Sequence, residues 1–161
     1  MYTVDIVSAL CNNRYAKEAF DMFVMNATTV RNDWSSVAES VIREKPAFIK
    51  KTRDHMFLSD FSVLESLLSA YSFNAEAFEE DDGSVTLSLD EIDLAENAVD
   101  MPSAIAKLAN AILEYAEDYY EEFAYWSRGS RKSHIPYVFK ALILNDIDRI
   151  GGLIKCRHGK I

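Results

Sequence analysis

Residues 74–89 read NAEAFEEDDGSVTLSL, and the fold class turns on whether this stretch belongs to a sheet. Val85, Leu87 and Leu89 alternate with Thr86 and Ser88 as a half-buried strand would, and Asp81-Asp82-Gly83 just before them is a turn signal. The only nearby strand partner is Ala75 to Phe78, which glutamate interrupts. A single strand cannot stand alone, so the spacing predicts at most one small β-hairpin around residues 75–89. The rest reads as helix. The expected fold class is therefore mainly α, a single-domain helical bundle of about five to seven helices.

On the C-terminal side, Ser88 to Asp100 sets Leu89, Ile92, Ala95 and Val99 at helical spacing. Pro102 then suits the first turn of the longest helix, which runs to about Ser127 with Gly129 just beyond its end. A final helix starts near Ser133 and Pro136, turns Ile135, Phe139, Leu142, Ile143, Ile147 and Ile150 inward, and is closed by Gly151-Gly152. Residues 153–161, with Lys155, Arg157, His158 and Lys160, read as a short basic tail.

On the N-terminal side, residues 4–25 carry a helical stripe of Val4, Val7, Cys11, Tyr15, Ala19 and Met22. Asp33 caps a short helix that keeps Val37 and Val41 on one face until Pro46 ends it. A turn with Phe48, Ile49 and the basic residues Lys50, Lys51 and Arg53 follows. Ser59 then begins a helix with the stripe Phe61, Leu64, Leu68 and Tyr71, expected to reach about Phe73.

At 161 residues the chain is the size of one ordinary domain, and residues 1–161 are expected to form a single globular domain ending in the basic tail. The N-terminus lacks a basic segment followed by an apolar one, and no apolar run approaches a membrane span, so a soluble cytoplasmic protein is expected. Cys11 and Cys156 lie in no metal-type spacing and should be free thiols there.

Charge is segregated along the chain. Residues 76–122 hold fifteen Asp/Glu against one lysine, Lys107, whereas residues 123–161 hold eight basic residues against two acidic ones. At 100° per residue on the long helix, Ile105, Ala109, Ile112, Ala116, Tyr119 and Phe123 share one side, and Glu114, Glu117, Asp118, Glu121 and Tyr125 lie opposite, flanked by Glu122. The apolar side must pack inward, so the carboxylates must face out together. Five of them in about 12 Å of helix approach the line charge of a nucleic-acid backbone. Asp81, Asp82, Glu91 and Asp93 are expected to widen this field, and Tyr125 to supply an aromatic contact within it.

Other chemistry is poorly supplied. His55, His134 and His158 are scattered, no Cys-x-x-Cys or His-x-x-x-His spacing occurs, and no glycine-rich phosphate loop precedes a helix, so no cofactor is expected. The C-terminal basics (Arg128, Arg131, Lys132, Lys140, Lys155, Arg157, Lys160) could neutralise phosphates. In a chain of net charge −9 they are read instead as partners for acids of the same chain or of a second copy.

The expected function is a non-catalytic inhibitor that lays an acidic surface, made of Glu114, Glu117, Asp118, Glu121, Glu122, Tyr125, Asp81, Asp82, Glu91 and Asp93, on a basic protein partner such as a nuclease. An immunity or antitoxin protein and a phage-type DNA mimic fit equally, with no direct contact to nucleic acid or membrane. The alternative is an all-α metal-dependent nucleotide hydrolase, with Glu114-x-x-Glu117 and Asp118-x-x-Glu121 facing Asp93-x-x-Glu96. A third possibility is a homodimer or longer head-to-tail assembly joining basic to acidic ends.

Overall fold

A computed structural model describes residues 23–158, and the helical stripe expected over residues 4–25 lies almost wholly outside them. The fold is mixed α/β, not a mainly α bundle: among the described residues seven helices accompany two sheets of three and four strands, and strand makes up 26%. Two compact units divide the chain, residues 1–64 and 65–161.

In the first unit, β1 (Val24–Asn26) leads into α1 (Ala27–Asn32) and α2 (Trp34–Arg43), followed by the hairpin β2 (Ala47–Lys51) and β3 (Asp54–Leu58). The sheet order is β1-β2-β3, with β1 parallel and β3 antiparallel to β2. Asn26 caps α1 by accepting from the Thr28 amide at 2.8 Å. Val37 and Val41, the expected stripe of α2, pack with Val30, Ala47 and Ile49 in a small core. The segment expected as a turn after Pro46 is the β2–β3 hairpin, reversed at Thr52 with a positive φ of 58°. The β-branched and aromatic run Phe48-Ile49 favours the pleat, and Ala47 and Ile49 are the inward positions of period two.

The helix α3 (Phe61–Leu67) falls across the division between the units and is shorter than expected. Asp60 caps it through the Val63 amide at 3.0 Å. Phe73 is not its last residue but the first of a strand.

The second unit holds the four-stranded sheet β6-β5-β4-β7, built from β4 (Phe73–Glu79), β5 (Val85–Leu89), β6 (Leu94–Ala98) and β7 (Ile154–His158). The expected hairpin exists as β4–β5, in register Ala75 with Leu89 and Glu79 with Val85. It is the centre of the sheet, not an isolated appendage. Phe73, Ala75 and Ala77 alternate inward while Glu76, which seemed to interrupt the run, takes the outer face.

The helix expected over Ser88–Asp100 is absent. Leu89 ends β5, Ile92 fills a buried turn, and Ala95 and Val99 are exposed. Asp93 turns the chain with φ 55°, a left-handed conformation that aspartate tolerates better than most residues, with no glycine or proline beside it to mark the turn in the sequence.

The longest helix, α4 (Met101–Glu121), is capped by Asp100, whose carboxylate accepts from the Ser103 amide at 2.8 Å, with Pro102 in its first turn. It buries Ala104, Leu108, Ala109, Ile112, Ala116 and Tyr119. It breaks at Glu122 into the short α5 (Phe123–Trp126).

A 3₁₀ turn, Ser130–His134, leads to α6 (Ile135–Leu144). The expected single last helix is two, because Asn145 adopts φ 42° and Asp146 caps a new start through the Arg149 amide at 2.9 Å. Gly151-Gly152 lie inside that second helix, α7 (Ile147–Leu153), instead of ending the first. A Cβ on Gly151 would stand 3.5 Å from Ile105, so α7 packs closely on α4. The expected basic tail is β7, paired parallel to β4 from Ile154 with Phe73 to His158 with Ala77.

Candidate functional site

The direction of α4 sorts the expected site residues. β6 ends beside Val85, at the β4–β5 turn, and α4 then packs back over β5 and β6. Its C-terminal half therefore projects past the β5–β6 turn, the end that holds Glu91 and Asp93. Asp81 and Asp82 sit in the β4–β5 turn at the other end of the sheet. The acids do not form one field.

Glu114, Glu117, Asp118, Glu121, Glu122 and Tyr125 are all exposed. Glu114 accepts a hydrogen bond from the Asn110 amide side chain at 2.8 Å. The carboxylates of Glu117, Asp118, Glu121 and Glu122 have no ion-pair or hydrogen-bond partner among the described residues. The basic residues nearest in sequence do not neutralise them. Arg131 places its guanidinium 4.4 Å from the Trp126 ring centre and 5.9 Å from that of Tyr115.

This end of α4 is held rigidly from behind. Tyr119 is buried and donates to the Arg131 carbonyl at 2.9 Å. The Tyr115 hydroxyl lies 2.6 Å from Nδ1 of His134, itself only 6% exposed. Burial pushes the pKa of His134 down and that of Tyr115 up, with the Arg131 charge lowering both. Tyr120 packs edge-on against Phe139, and Tyr125, 72% exposed, leans edge-on against Trp126 at 4.8 Å. Aromatic rings thus flank the carboxylates.

The remaining site residues have local roles. Asp82 accepts from the Ser84 amide at 3.0 Å, and its hydrogen bonds to Ser84 hold its carboxyl below the usual carboxylate range. Glu91 accepts from the backbone and side-chain nitrogens of Asn74, at 3.3 and 2.7 Å, while its second oxygen is buried and unbonded. It lines a recess of about 270 Å³ with Glu76, Asp90 and Arg157. Among the described residues no three His, Cys, Asp or Glu side chains are grouped to hold a metal ion. Nor is any helix there long and apolar enough to cross a membrane.

Sequence reasoning missed the Tyr115–His134 and Tyr119–Arg131 ties. Their signal was the isolated histidine immediately before α6, which reads as a loop residue without the fold. It also missed β6 as a sheet edge, because Leu-Ala-Glu-Asn-Ala has low strand propensity.

The family model described as PHD-like, antitoxin of toxin-antitoxin, RelE / RelB, TA system, matches residues 22–156. A crystal structure from Syntrophomonas wolfei subsp. wolfei, described as an antitoxin part of a proposed toxin/antitoxin system, is 33% identical and superposes with a TM-score of 0.81, covering 84% of this chain and 99% of that one. No curated protein gives a match.

Proposed function

We infer, because this chain belongs to the PHD-like family of antitoxins of toxin–antitoxin systems, that it neutralises a toxin protein through the carboxylate ridge at the end of α4. The observation that carries the reading is that Glu117, Asp118, Glu121 and Glu122 are exposed and without partners among the described residues. Like charges at this spacing disfavour the isolated helix by roughly 0.2–0.5 kcal/mol per pair. Packing behind the ridge offsets that, and a basic surface would relieve it.

The chain acts by binding, in the cytoplasm, and needs no cofactor or nucleic acid. Its partner carries a basic surface of the kind a nuclease uses to hold phosphates. Asp93 lies at the same end of the sheet and extends the ridge, whereas Asp81 and Asp82 lie too far away to share one contact. Complementary charge speeds encounter and sets register more than it adds affinity, with Tyr125 and Tyr120 as the apolar contacts.

The test is joint replacement of Glu117, Asp118 and Glu121 by lysine, with toxin capture measured across salt concentrations. Capture should fall by orders of magnitude at low salt and lose its salt dependence. Capture at full strength by the triple variant at every salt concentration would refute the reading.

A further inference from the structure

Among the described residues, β6 is an unpaired edge of the sheet of the second unit. The Glu80 amide donates to the Ser84 carbonyl at 2.9 Å, so Glu79 and Val85 form a non-hydrogen-bonded pair and Val85 turns its backbone groups toward β6. Val85 with Ala98, Leu87 with Glu96 and Leu89 with Leu94 are then the bonded pairs of the β5–β6 ladder. Ala95 and Asn97, between them, aim their N–H and C=O groups away from the sheet.

Both residues are exposed, and neither outward amide has a partner among the described residues. One outward group is occupied. Lys107 reaches from α4 to donate to the Asn97 carbonyl at 3.0 Å, which is the pattern expected if that carbonyl faces out.

The acids of the ridge share the side of α4 that Lys107 turns toward this edge. At 100° per residue, Asn110, Glu114, Asp118 and Glu121 fall within about 60° of the direction of Lys107. Glu96 lies on the edge strand and Asp93 and Asp100 at its two ends, with Val99, 80% exposed, beside the last. A strand laid against β6 and continued past Asp93 would come alongside Glu114 and the acids beyond it.

We propose that β6 is the edge onto which an extended, basic segment of the toxin adds as a fifth strand, its lysines or arginines facing the carboxylates of α4. Backbone bonds to Ala95 and Asn97 supply the pairing, and the acids select a cationic strand over a neutral one. Lys107 occupies the Asn97 carbonyl until the partner displaces it. The proposal rests on the toxin-binding reading above and adds the mode of contact.

The probe is a short synthetic peptide of alternating lysine and valine with blocked ends, added to the whole chain. Amide hydrogen exchange should slow by about tenfold or more at Ala95 and Asn97. A peptide N-methylated on alternate residues, or carrying glutamate for lysine, should give no protection. Ala95→Pro removes an outward N–H without touching a ladder bond, and should weaken the peptide by about tenfold while leaving the thermal midpoint nearly unchanged. Should that variant unfold, exchange in the unaltered protein still decides the matter.

Peptide binding that leaves both amides exchanging freely overturns the edge assignment. If such binding is also abolished by lysine at 117, 118 and 121, the ridge reading stands alone. If the triple variant binds as well as the unaltered chain, both fall.

Discussion

Tyr119 donates its hydroxyl to the Arg131 carbonyl at 2.9 Å, joining the buried side of the acidic helix to the 3₁₀ turn behind it. Removing that hydroxyl strands a carbonyl against an almost fully buried ring. Tyr119→Phe should therefore lower unfolding free energy by about 1–2 kcal/mol, read as a shifted urea midpoint at unchanged slope. A shift within a few tenths of that unit would show that water replaces the bond.

Acid should loosen the same region. His134 is buried, which depresses its folded pKa below the ordinary 6.5; Arg131 adds to this and Asp93 opposes it. A depressed folded value means that the unfolded chain takes up the proton first. The contribution is intact above about pH 6.5 and is lost as pH falls through the folded pKa. Urea midpoints measured from pH 7.5 down to 5 should decline, and His134→Gln should flatten the decline between 6.5 and the point where carboxylates begin to titrate.

Lys140 closes the connection into the central strand, donating to the Leu68 carbonyl at 3.3 Å and to that of Tyr71. Burial holds its pKa below the ordinary lysine value, with Lys155 adding to that effect. Lys140→Met keeps the aliphatic stem and removes both bonds. A loss of about 1–2 kcal/mol is expected, with faster amide exchange at residues 71–74 as the local signature.

The two glycines of α7 should differ little in tolerance and more in benefit. A methyl on Gly152 meets nothing within 4 Å, so Gly152→Ala should raise stability by about 0.5 kcal/mol through reduced unfolded-state freedom. Gly151→Ala enters ordinary contact with Ile105 and Ala109 and should be near neutral to mildly stabilising. Melting curves of the two single variants test the order.

The long helix was legible because its signals agree: Asp100 and Pro102 start it, and Ala109, Ile112, Ala116 and Tyr119 repeat at its period. The same arithmetic placed Glu117, Asp118 and Glu121 on the exposed side. The sheet was not legible. Ala75, Ala77, Ala95 and Ala98 are strand residues with little strand preference of their own, chosen by tertiary packing. Leu89, Ile92, Ala95 and Val99 mimic a helical stripe across a turn made by Asp93, and only the ladder with β5 resolves the ambiguity. Lys155 and Arg157 read as a tail because their strand partner lies some eighty residues earlier, beyond any local pattern.

That pairing has a bearing on how the chain comes off the ribosome. The partner of β4 on one side, β5, follows it after a short turn, but the partner on the other side is residues 154–158, so Phe73 can meet Ile154 only once nearly the whole chain has been made. Until that moment a growing polypeptide exposes the flank of its central strand, the slow and protease-sensitive interval that long-range parallel pairing imposes. A message cut short upstream of that strand would yield a product unable to complete its own sheet, and cellular quality control would clear it.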